Sequence, residues 1–279
     1  MHRKEDKIII DGSNNRPIII DITFKEKNKS KGIVLFSHGF KGFKDWGPFN
    51  QIAKTFAEND FIFIKFNFSH NGTTIDNPTN FTDLDAFGNN NFCKELDDLG
   101  FVIDWIEQNH LTKESILNDI SLFGHSRGGG ISILKAAEDN RIKKVISWAS
   151  PSNFTNLMSE ERVVTWKEKN IVFVYNGRTK QNMPMYYQFY ESGLQNKERI
   201  DISKAVQILK IPQLIVHGSE DPTVFKKEAQ RIKKWNHNAQ LHIVNGANHV
   251  FGACHPYQMN DYPTHLQEAM HVTLDFLKK

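Results

Sequence analysis

The chain has only two cysteines in 279 residues, Cys93 and Cys254. They form no CxxC pair and no ladder of spacings. A disulfide framework is therefore unsupported, and a reduced, cytoplasmic setting is the default expectation. Long apolar runs are also missing. No stretch approaches the roughly 18 apolar residues needed to cross a bilayer. The run Ile8-Ile9-Ile10 behind the charged N-terminus is too short for a signal core and is cut by Asp11-Gly12. No membrane segment is expected. Charge of one sign is scarce, with 35 Lys and Arg against 32 Asp and Glu. Basic residues interleave with acidic ones, as in Lys25-Glu26-Lys27 and Lys226-Lys227-Glu228. Such runs read as solvated faces, not as the clustered patch of a nucleic-acid binder. There is no internal repeat and no low-complexity linker. HExxH and paired CxxC patterns are absent, so the grouping of His249, Cys254 and His255 is not read as a metal site, and no cofactor is expected.

Aromatic residues are plentiful, with 21 Phe. Most are expected to replace Leu in the core, leaving a few to line a pocket. Ile8 to Ile10 and Pro17 to Phe24 read as a hairpin around the turn residues Asp11 to Asn15. The runs Gly32 to Ser37, Phe61 to Phe66, Ile120 to Phe123, Val145 to Ala149 and Gln213 to His217 are continuous rather than alternating. That pattern means burial on both faces, as in a parallel sheet covered by helices. Leu241 to Val244 is the expected last strand. Helical spacing occupies Phe49 to Glu58, Phe92 to Gln108, Ile131 to Ala137, Lys226 to Trp235 and Leu266 to Leu277. Strand and helix thus alternate, which predicts a doubly wound α/β sheet of about eight strands. Residues 151–205 break the alternation. They hold Trp166 and several tyrosines, and a strand at Ile171 to Tyr175 followed by the hairpin signal Asn176-Gly177. They are read as a cap inserted into a core formed by 1–150 and 206–279, with a longer helical crossover as the alternative.

The sharpest motif is Gly124-His125-Ser126-Arg127-Gly128, directly after a buried strand and before a helix. A serine on so tight a turn has strained backbone, and side chains two residues to either side would strike neighbouring backbone. Gly124 and Gly128 meet that need. A serine hydroxyl needs a base, and the base needs an orienting group. Asp221, past the end of the strand Gln213 to His217, is the expected acid, with Glu220 as its competitor. His249, after the last strand, is the expected base. His217, His242, His255 and His271 are weaker candidates, expected to be structural or solvated. An oxyanion needs two backbone N–H donors. Arg127, at the helix start, and Phe40, in the loop Ser37-His38-Gly39-Phe40-Lys41-Gly42, are expected to supply them.

Together SHGFKG, GHSRGG, HGSEDPTV and GANHVF resemble the α/β-hydrolase superfamily over residues 17 to 277, and within it the dienelactone-hydrolase-like and feruloyl (cinnamoyl) esterase-like branch. Lys65 to Gly72, Glu95 to Asp98 and Asp104 to Ile106 carry the resemblance to that branch. The Asn-rich stretch Thr73 to Asn91 departs from it, as does a serine where dienelactone hydrolases often use cysteine. The resemblance implies an α/β-hydrolase fold and a serine esterase that cleaves a small carboxylic ester through an acyl-enzyme. A serine peptidase of the prolyl-oligopeptidase or acyl-peptidase type would use the same triad. The lack of a large N-terminal propeller in this sequence favours the esterase. A silent small-molecule binder and an acyltransferase or perhydrolase are further alternatives. Lys41, Lys44 and Arg178 are expected to be solvated, a substrate carboxylate being the other reading for them. Oligomeric state is unreadable from the sequence.

Overall fold

The computed structural model describes residues 2–26, 30–109, 119–154 and 160–279. Eight strands form one sheet in the order β1-β2-β4-β3-β5-β6-β9-β10. β1 (His2–Asp11) and β2 (Pro17–Lys25) are the expected hairpin, and β2 pairs antiparallel with β4 (Ile62–Asn67). From β4 the ladder is parallel through β3 (Ile33–Ser37), β5 (Ile120–His125), β6 (Ile142–Trp148), β9 (Gln213–Gly218) and β10 (Gln240–Val244).

The continuous apolar runs fill both faces. In β3, Ile33 and Leu35 enter one core while Val34 and Phe36 enter the other, as the period of two requires. The first core is closed by α3 (Phe92–Gln108), α4 (Arg127–Glu138) and α8 (Lys227–Trp235). The second is closed by α1 (Phe49–Glu58) and α9 (Thr264–Lys278). Phenylalanine dominates the second core. Phe36 stacks on Phe49 with centroids 3.9 Å apart and meets Phe123 at 5.1 Å. Each such ring contributes about 2 kcal/mol by leaving water.

Sequence spacing did not reveal the short helix α2 (Leu84–Gly88), which lies in the Asn-rich stretch. Its start is fixed by the Asp83 side chain, which accepts the Ala86 N–H at 2.9 Å. Between β6 and β9 the chain forms α5 (Glu160–Lys169), β7 (Ile171–Asn176), β8 (Gln181–Tyr186), α6 (Gln188–Gln195) and α7 (Ile202–Ile208). β7 and β8 make a separate antiparallel pair around the Asn-Gly turn. Trp166 anchors this segment. Its ring is fully buried, and its Nε1–H donates to the Met185 carbonyl at 2.8 Å.

Candidate active site

Ser126 sits between β5 and α4 with φ 56° and ψ −124°, a conformation that strains any side-chain-bearing residue. Close packing forces the turn. A Cβ on Gly124 would lie 2.1 Å from the Gly128 carbonyl oxygen, and one on Gly128 would lie 2.2 Å from that of Ser37. Only hydrogen fits at either position. The Ser126 N–H is held by the Trp148 carbonyl at 2.8 Å.

Asp221 and His249 arrive from the C-terminal ends of β9 and β10, where open α/β sheets place their ligands. Asp221 Oδ1 accepts the N–H groups of Thr223 and Val224 at 2.8 and 2.9 Å. Its Oδ2 accepts His249 Nδ1–H at 2.7 Å. His249 Nε2 then faces Ser126 Oγ at 3.0 Å, positioned to accept its proton. The three side chains form one hydrogen-bonded line. Burial alone would raise the Asp221 pKa. Hydrogen bonds from His217, His249 and the Val224 N–H reverse this and hold the carboxylate ionised well below the usual range. Glu220 is exposed and donates only its backbone N–H, to Ala247.

Of the other histidines, His217 contributes most. It is fully buried, with Nε2 2.7 Å from the Val224 carbonyl and 3.4 Å from Asp221 Oδ2. His242 and His271 pair with Glu268 and Asp275 away from the site. His255 lines the cavity beside Ser126. His125, which motif reading passed over, has a structural task. Enclosure of its ring, together with the charge of His249, lowers its pKa to about 3, so it stays neutral. Its Nε2–H donates to the His249 carbonyl at 2.8 Å, pinning the backbone of His249.

The loop after β3 presses against the serine. A Cβ on Gly39 would stand 3.1 Å from Ser126 Cβ. Buried His38, its pKa pushed down to about 4 mainly by desolvation, donates Nδ1–H to the Gly39 carbonyl at 2.9 Å. The Phe40 ring lies under the Arg127 guanidinium, 3.9 Å from centroid to Cζ. Arg127 also approaches the rings of Phe92 and Phe189 and pairs with buried Glu95 at 3.4 Å. As the first residue of α4, Arg127 has a backbone N–H with no acceptor inside the helix. This cage ties the Phe40 loop to the start of α4. Nothing in the spacing of Glu95 signalled it.

Lys44 corrects an expectation. It is not solvated: it is 4% exposed, and its Nζ reaches Asp21 Oδ2 and Asp45 Oδ2, both at 2.5 Å. Lys65 Nζ joins them, bonding Asp21 at 3.1 Å, Asn50 Oδ1 at 2.9 Å, and Asp45. Two cations and two anions therefore neutralise one another beneath the loop. The visible sign was a lysine inside the apolar run Phe61 to Phe66, since a buried ammonium must be paired.

Ser126 opens into a cavity of about 330 Å³ whose walls include Phe40, Phe43, Trp46 and Phe49 from the core, and Asn176 and Arg178 from the inserted hairpin. A larger space of about 690 Å³ lies under α6 and α7 but does not include Ser126, Asp221 or His249. Among the described residues its walls carry no such aligned set, so side-chain chemistry rather than volume singles out the smaller cavity as the candidate. Among the described residues no helix is long and apolar enough to cross a membrane.

Known proteins agree with this architecture. Est1E from Butyrivibrio proteoclasticus, in a structure with ferulic acid bound, superposes with a TM-score of 0.73 at 18% identity, covering 97% of this chain and 98% of that one. A dienelactone hydrolase from Anabaena variabilis gives 0.63 at 15% identity over 99% and 97%. At these identities the likeness is one of fold, and the fold is that of the α/β hydrolases. A Mycoplasma pneumoniae protein provisionally named esterase/lipase 2 is 25% identical over 259 residues, covering 85% of this chain and 89% of that one. A sequence profile of the prolyl oligopeptidase family matches residues 48–272, most of the chain and all three aligned side chains. By that match the chain belongs to the prolyl oligopeptidase family of α/β hydrolases.

Proposed function

We propose that the protein is a serine esterase that hydrolyses small carboxylic esters through an acyl-enzyme. One observation carries this reading: Ser126 Oγ, on a strained turn, lies 3.0 Å from His249 Nε2, whose Nδ1 is held by Asp221 at 2.7 Å. Ser126 attacks the ester carbonyl while His249 takes its proton. Ionised Asp221 fixes the tautomer that leaves Nε2 free to accept, and it stabilises the imidazolium that forms. The N–H groups of Phe40 and Arg127 receive the oxyanion, and their alignment depends on the stacking of Phe40 on Arg127. His249 then protonates the leaving alcohol. Water repeats the sequence on the acyl-enzyme. No cofactor takes part.

Residues 151–205 act as the cap in this reading, with 1–150 and 206–279 as the core. Support comes from Asn176 and Arg178 on the cavity wall and from bonds that seat the hairpin on the core, Lys41 Nζ to the Tyr175 carbonyl and Gln181 Nε2 to the Phe81 carbonyl, both at 3.1 Å. A cavity of about 330 Å³ suits a short acyl or single aryl group.

Family membership favours a second reading, peptide-bond cleavage by the same residues. Hydrolysis of a p-nitrophenyl ester series, acetate to octanoate, beside p-nitroanilides of the same acyl groups separates the two. The esterase reading expects ester turnover that Ser126→Ala abolishes. Anilide turnover equal to or above ester turnover transfers the assignment to a peptidase.

A further inference from the structure

Among the described residues no Asp or Glu lines the cavity that holds Ser126, whereas Lys41 and Arg178 both do. Lys41 is engaged, donating to the Tyr175 carbonyl and lying 5.7 Å from the Phe40 centroid. Arg178 is not. It is exposed, and among the described residues its guanidinium meets no carboxylate; it rests 5.1 and 5.5 Å from the centroids of Phe43 and Phe81, and partial burial depresses its pKa. Those rings flank the guanidinium and leave its N–H groups to solvent or a ligand.

Asn176 supplies a second, independent observation. It is 5% exposed and stands on the same wall. Its Oδ1 accepts the backbone N–H of Arg178 at 3.2 Å, which fixes the orientation of the amide, and its buried Nδ2 has no acceptor among the described residues. Buried polar atoms in native proteins are paired, so an orphaned N–H₂ on a cavity wall calls for a ligand. His255 adds a third donor. Its Nδ1 accepts the Gly47 N–H at 2.9 Å, and burial together with the Arg178 charge keeps the ring neutral, so its proton sits on Nε2. Among the described residues, the Arg178 guanidinium, Asn176 Nδ2 and His255 Nε2 are donors on this wall that meet no protein acceptor.

We propose that Arg178 and Asn176 form a carboxylate subsite, and that the protein prefers substrates carrying a free carboxylate away from the scissile bond. The proposal rests on Ser126 being the nucleophile of the same cavity. A planar guanidinium fork beside one amide N–H₂ matches the two in-plane oxygens of a carboxylate. The flat walls of Phe43 and Trp46 accommodate the apolar link between carboxylate and ester. Two sources share this chemistry: a half-ester of a dicarboxylic acid, charged on the acyl side, and an ester of a hydroxy acid, charged on the leaving side.

The test compares mono-p-nitrophenyl glutarate with its methyl ester, and 4-butyryloxybenzoate with its methyl ester. The charged member of at least one pair should have a kcat/KM roughly tenfold to hundredfold higher, carried by KM. The pair that shows the preference identifies which side is charged. Arg178→Met should abolish the ratio, Asn176→Ala should shrink it, and Arg178→Lys should keep part of it. A ratio near one in both pairs, or one that survives Arg178→Met, overturns the subsite. A binding arm needs no turnover: phenylacetate and phenylacetamide are titrated into Ser126→Ala protein and followed by Trp46 fluorescence. Binding of the acid at least tenfold tighter than the amide, lost in Arg178→Met, supports the subsite even if no ester is hydrolysed, in which case only the esterase reading falls. Equal binding of acid and amide overturns the subsite and leaves the esterase reading intact.

Discussion

Two groups of buried polar side chains in this protein are built on opposite plans. Beneath the loop after β3, Lys44, Lys65, Asp21 and Asp45 close on themselves, each cation reaching both anions. At the ends of β9 and β10, Asp221 and His249 form a line whose far end is Ser126 at a cavity. The closed cluster has satisfied all its charge and has nothing left to offer a ligand. The open line ends in a hydroxyl that faces empty space. A buried polar group is a candidate for chemistry when its partners run in one direction and stop at a cavity.

The comparison breaks most sharply at the open end. Under the esterase reading, Ser126→Ala or His249→Ala should reduce kcat on a p-nitrophenyl ester about 10⁴- to 10⁶-fold with little change in melting temperature. Asp221→Asn keeps the shape but favours the wrong tautomer, and the loss should be about 10³- to 10⁴-fold, read in the same assay. In the closed cluster the effect should move from rate to stability. Lys65→Met leaves two buried carboxylates sharing the single cation Lys44 and should cost about 3–5 kcal/mol in urea unfolding, while kcat of the folded fraction stays within a few-fold of wild type. A large kcat loss at full stability would show that the cluster is catalytic after all. The last effect concerns pH. Burial lowers the pKa of His38 to about 4 and of His70 to about 3, below the ordinary value near 6.5. Protons therefore bind the unfolded chain first as pH falls. The stabilisation is complete above about 6.5 and declines by about 1.4 kcal/mol per pH unit for each ring down to its folded pKa. Denaturant midpoints at pH 7, 6 and 5 measure the slope, which His38→Gln should reduce.

Sequence revealed the sheet because parallel strands covered on both faces cannot hide their apolar runs. The bounds of α1 and α3 coincide with the expected Phe49 to Glu58 and Phe92 to Gln108, since a 3.6-residue stripe over ten or more positions has little freedom. The line of Ser126, Asp221 and His249 was legible because backbone geometry demands Gly124 and Gly128 around the serine, and strand ends dictate where its partners arrive. What was hidden depended on distant pairings. Lys44 looks like any turn lysine until Asp21 and Lys65 fold against it. Glu95 and Arg127 are 32 residues apart and meet only when α3 packs on α4. In the inserted segment, α5, α6 and α7 carry mixed faces. Val164, Phe173, Tyr175 and Leu194 stay more than half exposed there, so apolar spacing marks no single buried side.

The order of residues along the chain also sets a schedule. Ser126 precedes the histidine that faces it by 123 positions, and Asp221 lies between them beyond the inserted hairpin. At about 5–20 residues per second on the ribosome, the serine waits on the order of ten seconds for its partners. During that interval the strained turn can be complete, because its contacts with Ser37 and Trp148 lie within the first 150 residues. Until His249 emerges, the Ser126 hydroxyl has no imidazole facing it, and under the esterase reading the growing polypeptide is inert toward esters until then.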